Sequence, residues 1–451
     1  MPATGAGWTG RPLRAALLAA LLLLASSCGV GTAPGSPNLL LVLIDTLRAD
    51  HLGCYGYERN TTPCLDSLAA AGLRFERVHG SSSWTLPAMS TILTGLPPRE
   101  HGAGRRDGAF YGLSSGIPGM ARILHASGYS TAAFFNVVFM SEDFGFHVGF
   151  DHFDCRGFAG PESYRDARGT VDDAIEWLRE QGPSPFFLAV HFYDPHITYD
   201  PPAPFDTLFT DPGYSGEYGP QWGESAEIEA VNAGEIALPD DGLRNLIDLY
   251  DGEIAFTDHE ISRLLSFLRG SGLSGNTVVI VAADHGEEFL EHGMLEHGSN
   301  LYQTSISVPL LISGQGIPVG EVERAAVSHV DILPTVIALT GGEAPEGLEG
   351  CNLLGEVRAD RFLVSSGVLW GESDLVSVRR NDSKIIWRPG EASAEAYDLA
   401  GDAGEFSSLM ADSLLLEHAM SYWATPFAVT PPQVYFGESA ARALRDLGYI
   451  R

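Results

Sequence analysis

The chain has 451 residues, 45% of them hydrophobic and 10% aromatic. That composition excludes a disordered, collagenous or coiled-coil protein and suits one large α/β domain with a smaller appendage, or two medium domains. The 27 basic residues face 58 acidic ones, a formal charge of −31, which argues against a nucleic-acid partner.

At the start, Arg11 and Arg14 precede an apolar stretch from Ala15 to Ala25, followed by small residues and Cys28. The stretch is shorter than the roughly 20 residues that span a bilayer, but it suits the apolar part of an export signal. Leu24-Ala25-Ser26-Ser27-Cys28 resembles a bacterial lipobox. This predicts a signal peptide over residues 1–27, an acylated Cys28 followed by a linker to residue 37, and a periplasmic or cell-envelope lipoprotein held on the membrane by its lipid. Ordinary cleavage nearby, with Cys28 incidental, is the plainer alternative. Cys54, Cys64, Cys155 and Cys351 are too few for a disulfide scaffold. Cys54 and Cys64 are close enough to bridge in an oxidising compartment.

Apolar runs at Asn38–Asp45, Ser130–Asn136, Phe186–Tyr193, Thr277–Asp284 and Val308–Ser313 read as buried strands. Between them Pro63–Gly72, Pro118–Ser127, Arg168–Glu180 and Leu243–Arg269 carry helical spacing. Such alternation predicts an α/β domain over 38–349, built on a mostly parallel sheet flanked by helices. Ala203–Asp241, rich in Pro, Gly and acidic residues, reads as an irregular insert of the kind that shapes a pocket. From 350 to 451, short strands at Asp374–Arg380 and Ser383–Trp387 and terminal helices predict a smaller α+β subdomain.

Ligands in open parallel sheets sit beyond the carboxyl ends of the strands. Asp45 closes the first apolar run, Asp194 and His196 follow the third, and Asp284-His285-Gly286 follow the fourth. Carboxylate and imidazole together at strand ends suit a divalent metal. Singly, each has a structural explanation as a cap or turn residue. A fourth element, Thr85-Leu86-Pro87, reads as a helix start with Thr85 at the N-cap. Its hydroxyl would face free backbone N–H groups, and a metal beside it could make it a nucleophile.

With these residues in order, the chain resembles the sulfatase family of the alkaline phosphatase superfamily. Leu41–His51 resembles the first metal-binding strand of that family. Thr85 through Gly95, with His101-Gly102, is similar to its nucleophile helix, and Asp194-Pro195-His196 to its substrate-contacting histidine motif. Asp284 through Phe289, then Glu291-His292-Gly293 and His297-Gly298-Ser299, resembles its second metal motif. Val308-Pro309-Leu310, Asp331–Thr335, Tyr397-Asp398-Leu399 and Leu444–Ile450 complete the order. The resemblance implies an alkaline-phosphatase-like fold, a divalent metal and hydrolysis of an anionic ester.

The departures are chemical. Where sulfatases carry a cysteine or serine matured to formylglycine, in a Cys/Ser-x-Pro-x-Arg motif, this chain has Thr85 and Met89. The paired aspartates are Asp45-Thr46, the Asp-Asn pair is Asp284-His285, and the lysine of Lys-Gly-Ser is His297. Imidazole in place of oxygen ligands favours zinc or manganese over calcium or magnesium. A threonine cannot become a hydrated aldehyde but can attack phosphorus. These residues predict a phosphate mono- or diester hydrolase with Thr85 as nucleophile and Asp45, Asp284 and His285 as metal ligands. His196 and His297 would bind substrate or protonate the leaving group, and Asp194, His196 and His297 could hold a second metal. The substrate would be a small, glycan-linked or lipid-linked anionic ester. The rivals are a sulfuric ester hydrolase with an atypical nucleophile, an envelope phosphotransferase, and an inactive binding lipoprotein.

Overall fold

The structure, a computed structural model, describes residues 35–157, 165–342, 344–345, 347–370 and 374–446. The leader, with Arg11, Arg14 and Cys28, lies outside the described residues. Asn38–Ile44 (β1), Gly72–Phe75 (β2), Ser130–Phe135 (β3), His152–Cys155 (β4), Phe186–Phe192 (β5), Thr277–Ala283 (β6), Leu310–Ser313 (β7) and Glu321–Glu323 (β8) form one sheet. Its order is β8-β2-β7-β6-β1-β5-β3-β4. Strand β1, Asn-Leu-Leu-Leu-Val-Leu-Ile, is buried at every position, as are β5 and β6. Continuous rather than alternating apolar sequence is what a strand covered on both faces requires.

All pairings are parallel except those of β7, which runs against β6 and β2. The reason lies in the connection. Residues 284–309 hold only short elements and never recross the sheet, so β7 starts at the end where β6 stops. The register of the centre aligns the strand ends: Ile44 of β1 is opposite Phe192 of β5 and Ala283 of β6. The residues just beyond these three strands therefore emerge side by side.

Helices Pro63–Ala70 (α1), Thr85–Thr94 (α2), Ala167–Arg179 (α3), Ser225–Asn232 (α4), Asp240–Gly270 (α5) and Ser413–Trp423 (α6) are the main helical elements. Asp166 caps α3 by accepting the Gly169 N–H. Two of these differ from the sequence reading. Within 203–241, Glu224 and Glu227 make a reciprocal capping box that starts α4. Helix α5 begins at Asp240, where two aspartates in the first turn complement the helix dipole.

Leu363–Ser366 (β9), Val376–Arg380 (β10), Ser383–Trp387 (β11) and Ala394–Asp398 (β12) form a second, antiparallel sheet. Ile385 and Trp387 pack with Leu415, Ala419 and Tyr422 of α6 in a separate apolar cluster. The alternate positions Lys384 and Ile386 turn to the other face, where Ile386 meets Leu301. Further on, Val434, Ala440 and Leu444 return to the main core.

The described cysteines are all free thiols. The bridge that sequence spacing allowed for Cys54 and Cys64 does not form. Their backbones are anchored to different carboxylates, Cys54 N–H to Asp66 and Cys64 N–H to Asp258. No helix among the described residues is long and apolar enough to cross a membrane.

The fully buried Lys384 ammonium donates to the Leu301 carbonyl at 2.6 Å and pairs with Glu405 at 2.6 Å. This joins the small sheet to the loop that carries His297. Removing one partner of a buried pair leaves the other charge uncompensated, so Glu405→Ala is expected to cost about 3 kcal/mol of stability. Lys384→Met combined with Glu405→Leu is expected to cost less, and denaturant unfolding of the two variants beside the wild type measures the difference.

Candidate active site

Asp45 follows β1 directly, is fully buried, and has no hydrogen-bond donor on either carboxylate oxygen. His191 Nε2 lies 3.3 Å from its Oδ2 and His285 Nε2 lies 3.5 Å from its Oδ1, within ion-pair range but outside hydrogen-bond geometry. The chain then turns sharply. Thr46 adopts φ +52, disfavoured for a β-branched residue. Its N–H to Asp284 Oδ1 (3.3 Å) and its hydroxyl to the Pro195 carbonyl (2.8 Å) hold it there.

Asp284 and His285 follow β6. Asp284 Oδ1 accepts the His285 N–H at 2.8 Å, while its buried Oδ2 has no donor and stands 3.3 Å from His285 Nε2. His285 Nδ1 donates to the Gly286 carbonyl at 3.0 Å, which leaves the Nε2 lone pair facing Asp45, Asp284 and Thr85. Gly286 is required here because a Cβ would collide with the Thr304 carbonyl.

Thr85 is the first residue of α2 rather than its cap. Trp84 occupies the cap position and makes no side-chain cap bond, so the threonine hydroxyl is not used to close the helix. It stands 3.4 Å from His285 Nε2. All ten residues of α2 are buried, which fixes its N-terminus against the sheet.

A second ring of residues orients the imidazoles. His297 Nδ1 meets Glu287 Oε1 at 3.1 Å, and Tyr199 donates to Glu287 Oε2 at 3.2 Å. His196 Nδ1 contacts the Tyr193 hydroxyl at 3.0 Å and the Ile197 carbonyl at 2.5 Å. The His297 ring lies 4.3 Å from that of His285 and 4.9 Å from that of His196.

Charge follows burial and partners. Burial works against charge on His297, but Glu287, Glu296 and Asp45 outweigh it and hold its pKa up at about 9. Burial and His297 push His196 down to about 4, and they push His285 well below the usual imidazole range. Burial and the charge of Asp45 drive Asp284 well above the carboxylate range. Asp45 itself is lowered, because the surrounding imidazoles outweigh its desolvation.

Two groups have the spacing of metal ligands, each with its donor atoms within 4.8 Å of one another: Asp45, Asp284 and His285, and His196, Glu296 and His297. The first fits a divalent cation well, since three of its carboxylate oxygens are buried without a donor and one imidazole lone pair points at them. Asp194 belongs to neither group. Its Oδ1 accepts the Ala167 N–H at the start of α3, and burial raises its pKa to about 7.

The geometry adds residues that the sequence reading passed over. His191 sits inside the apolar run of β5, and the register opposite Leu43 brings it to Asp45. The signal was an imidazole interrupting Phe-Phe-Leu-Ala-Val-His-Phe. Glu287, Glu296 and Tyr193 carry no spacing signal of their own and are found only through contacts with the histidines.

Residues 37–342 match the sulfatase family model. The chain is 24% identical over 437 residues to an arylsulfatase of Clostridium perfringens, covering 83% of this chain and 90% of the relative. It is 22% identical over 445 residues to a delta 4,5-hexuronate-2-O-sulfatase of Bacteroides thetaiotaomicron, covering 87% and 89%. The fold is similar to that of the phosphonate monoester hydrolase of Agrobacterium radiobacter, with a TM-score of 0.69, 23% identity and 86% and 94% of the two chains covered. It is equally similar to a structure solved in complex with its substrate D-glucosamine-2-N,6-O-disulfate, with a TM-score of 0.70, 18% identity and 92% and 98% covered.

If the donor-free carboxylates are there for a cation, Asp284→Asn and His285→Ala are both expected to abolish stoichiometric divalent metal binding. Elemental analysis of the purified variants checks this. Asp194→Asn is expected to leave metal content unchanged.

Proposed function

Because the chain belongs to the sulfatase family, we propose that this ester hydrolase cleaves phosphate mono- or diesters with Thr85 as its nucleophile. The observation that carries the reading is the Thr85 hydroxyl, free of capping duty, 3.4 Å from an imidazole lone pair and beside two donor-poor carboxylates. Asp45, Asp284 and His285 would hold the metal, and the imidazole in the set favours zinc or manganese over calcium or magnesium. Bound there, a divalent cation supplies Lewis acidity that lowers the pKa of the threonine hydroxyl.

The chain's own residues do the rest. Thr85 Oγ1 gives up its proton to solvent water and forms a bond to phosphorus as the bond from phosphorus to the ester oxygen breaks. His297, held protonated by Glu287, pairs with the phosphoryl group or gives its proton to that leaving oxygen. Where His297 has given up its proton, the neutral imidazole then takes one from water, whose oxygen bonds to phosphorus while the Thr85 Oγ1–phosphorus bond breaks, and the departing Thr85 oxygen recovers a proton from solvent. His196, neutral because it is buried, contacts the substrate anion as a hydrogen-bonding group. A second reading, hydrolysis of sulfuric esters, is favoured by relatives that are sulfatases. Against it stands a threonine that cannot form the aldehyde hydrate. An alcohol in place of water as acceptor would make the enzyme an envelope phosphotransferase. The same reading keeps the leader as an export signal and Cys28 as a lipid anchor. Mass spectrometry of the mature N-terminal peptide should find acylated Cys28.

Thr85→Ala is expected to retain metal and lose turnover by a factor on the order of 10³ or more, whereas Thr85→Ser keeps part of the rate. Phosphate transfer trapped on Thr85 of the wild type, seen by mass spectrometry with aryl phosphates, checks the covalent step. Aryl sulfate as the sole productive substrate in a panel of phosphate, phosphodiester and sulfate esters would select the second reading.

A further inference from the structure

The chain carries more than twice as many acidic as basic residues, yet three arginines converge beside the first turn of α2 with no ion pair among the described residues. Arg99, Arg105 and Arg106 are laid on aromatic faces instead. The Arg99 guanidinium lies 4.6 Å from the Trp423 ring centre and 4.9 Å from that of Phe427. Arg106 lies 4.0 Å from Tyr111 and 4.6 Å from Phe427, and Arg105 lies 5.6 Å from Phe110. Stacking of this kind orients a guanidinium without neutralising it.

Backbone carbonyls take part of their hydrogen-bonding capacity. Arg99 Nε donates to Thr425 at 2.9 Å, Arg105 Nη1 to Leu369 at 3.2 Å, and Arg106 Nη1 to Gly102 at 2.7 Å. Arg106 Nη2 is buried with no acceptor. So is the indole N–H of Trp84, a residue only 1% exposed. The residues that carry them, Arg106 and Trp84, belong to the lining of a cavity of about 40 Å³ that Arg99, Arg105, Trp423 and Phe427 also line. Asp374 is the carboxylate in that lining, and its charge acts on Arg106 and Arg99; Asp107 lies beside Arg106 as a further acid. Among the described residues, three guanidiniums against one lining carboxylate make the lining net positive. Its volume admits a single small group. Buried donors without acceptors are costly and call for an occupant that accepts. An oxyanion meets both the charge and the donors.

We propose that Arg99, Arg105, Arg106 and the Trp84 indole N–H form a second anion site, which takes one carboxylate, sulfate or phosphate group. Trp84 directly precedes Thr85, and Pro87, which also lines the cavity, lies in the same helical turn. Resting on the reading of Thr85 as the ester-attacking residue, the occupant is either a second charged group of the ester substrate or a free anion bound beside it.

Calorimetric titration of inorganic phosphate into the wild type, Arg105→Gln and Arg106→Gln tests the site. Each variant is expected to bind one phosphate fewer per chain, with circular dichroism confirming the fold. Unchanged phosphate stoichiometry in both folded variants would overturn the proposal. Kinetics then separate the sources. If the anion belongs to the substrate, the KM of an aryl ester bearing an added carboxylate rises about tenfold relative to that of the plain aryl ester. If it is free, that ratio stays fixed, while the response of the rate to added phosphate is lost in the variants. Failure of the wild type to turn over any ester would refute the Thr85 reading and leave the phosphate stoichiometry still decisive for this site.

Discussion

Asp45 and Asp284 are placed where neither carboxylate is supplied with the donors it needs, and much of the catalytic half of the protein is arranged to keep them there. Two buried carboxylates at such proximity cannot both ionise freely, which is why one is pushed down and the other up. Desolvation of this kind costs several kcal/mol per uncompensated charge. Three parallel strands in strict register hold the two residues together, and the turn at Thr46 is locked by contacts to Asp284 and Pro195. A cation bound between them would resolve the conflict, and under the proposed function the same cation would make the Thr85 hydroxyl reactive.

The imidazoles show a common solution to orientation. His285 and His297 each commit Nδ1 to an oxygen, from Gly286 and Glu287, and His196 commits its Nδ1 to Tyr193 and Ile197. That leaves the His285 Nε2 facing Asp45, Asp284 and Thr85. The three rings nonetheless differ in charge, because Glu287 compensates His297 alone. One site thus contains a ring held charged beside two rings held neutral, a difference that acid–base and metal chemistry can use.

The strand-end positions of Asp45, Asp284 and His285 could be read from the sequence, because a buried parallel strand is an apolar run and its end is marked by the first polar residue. His191 escaped that logic by lying inside such a run, where only register reveals its neighbour. Asp194 was drawn toward the site by the same logic and instead binds the start of α3, since it lies two residues past the end of β5, where the chain has already turned from the strand direction. The edge strands β4 and β8, the neighbouring β2 and the outer strands of the small sheet are short and partly polar, and tertiary pairing rather than local pattern creates them. Helix α4 was concealed by its acidic composition, and its capping box was the local signal that remained. Glu287 became meaningful only once His297 was placed beside it.

The one lysine in this chain is also one of its most inaccessible side chains, sealed between Leu301 and Glu405. In the native protein, then, no lysine presents a primary amine to solvent, and the exposed positive charge is carried by guanidinium. Reagents that acylate amines should therefore pass over the interior of the folded chain and mark Lys384 only when the small sheet opens. Its acylation becomes a built-in clock for that opening, independent of turnover. For the same reason, a protease that cuts after basic residues meets arginine at every such position except Lys384.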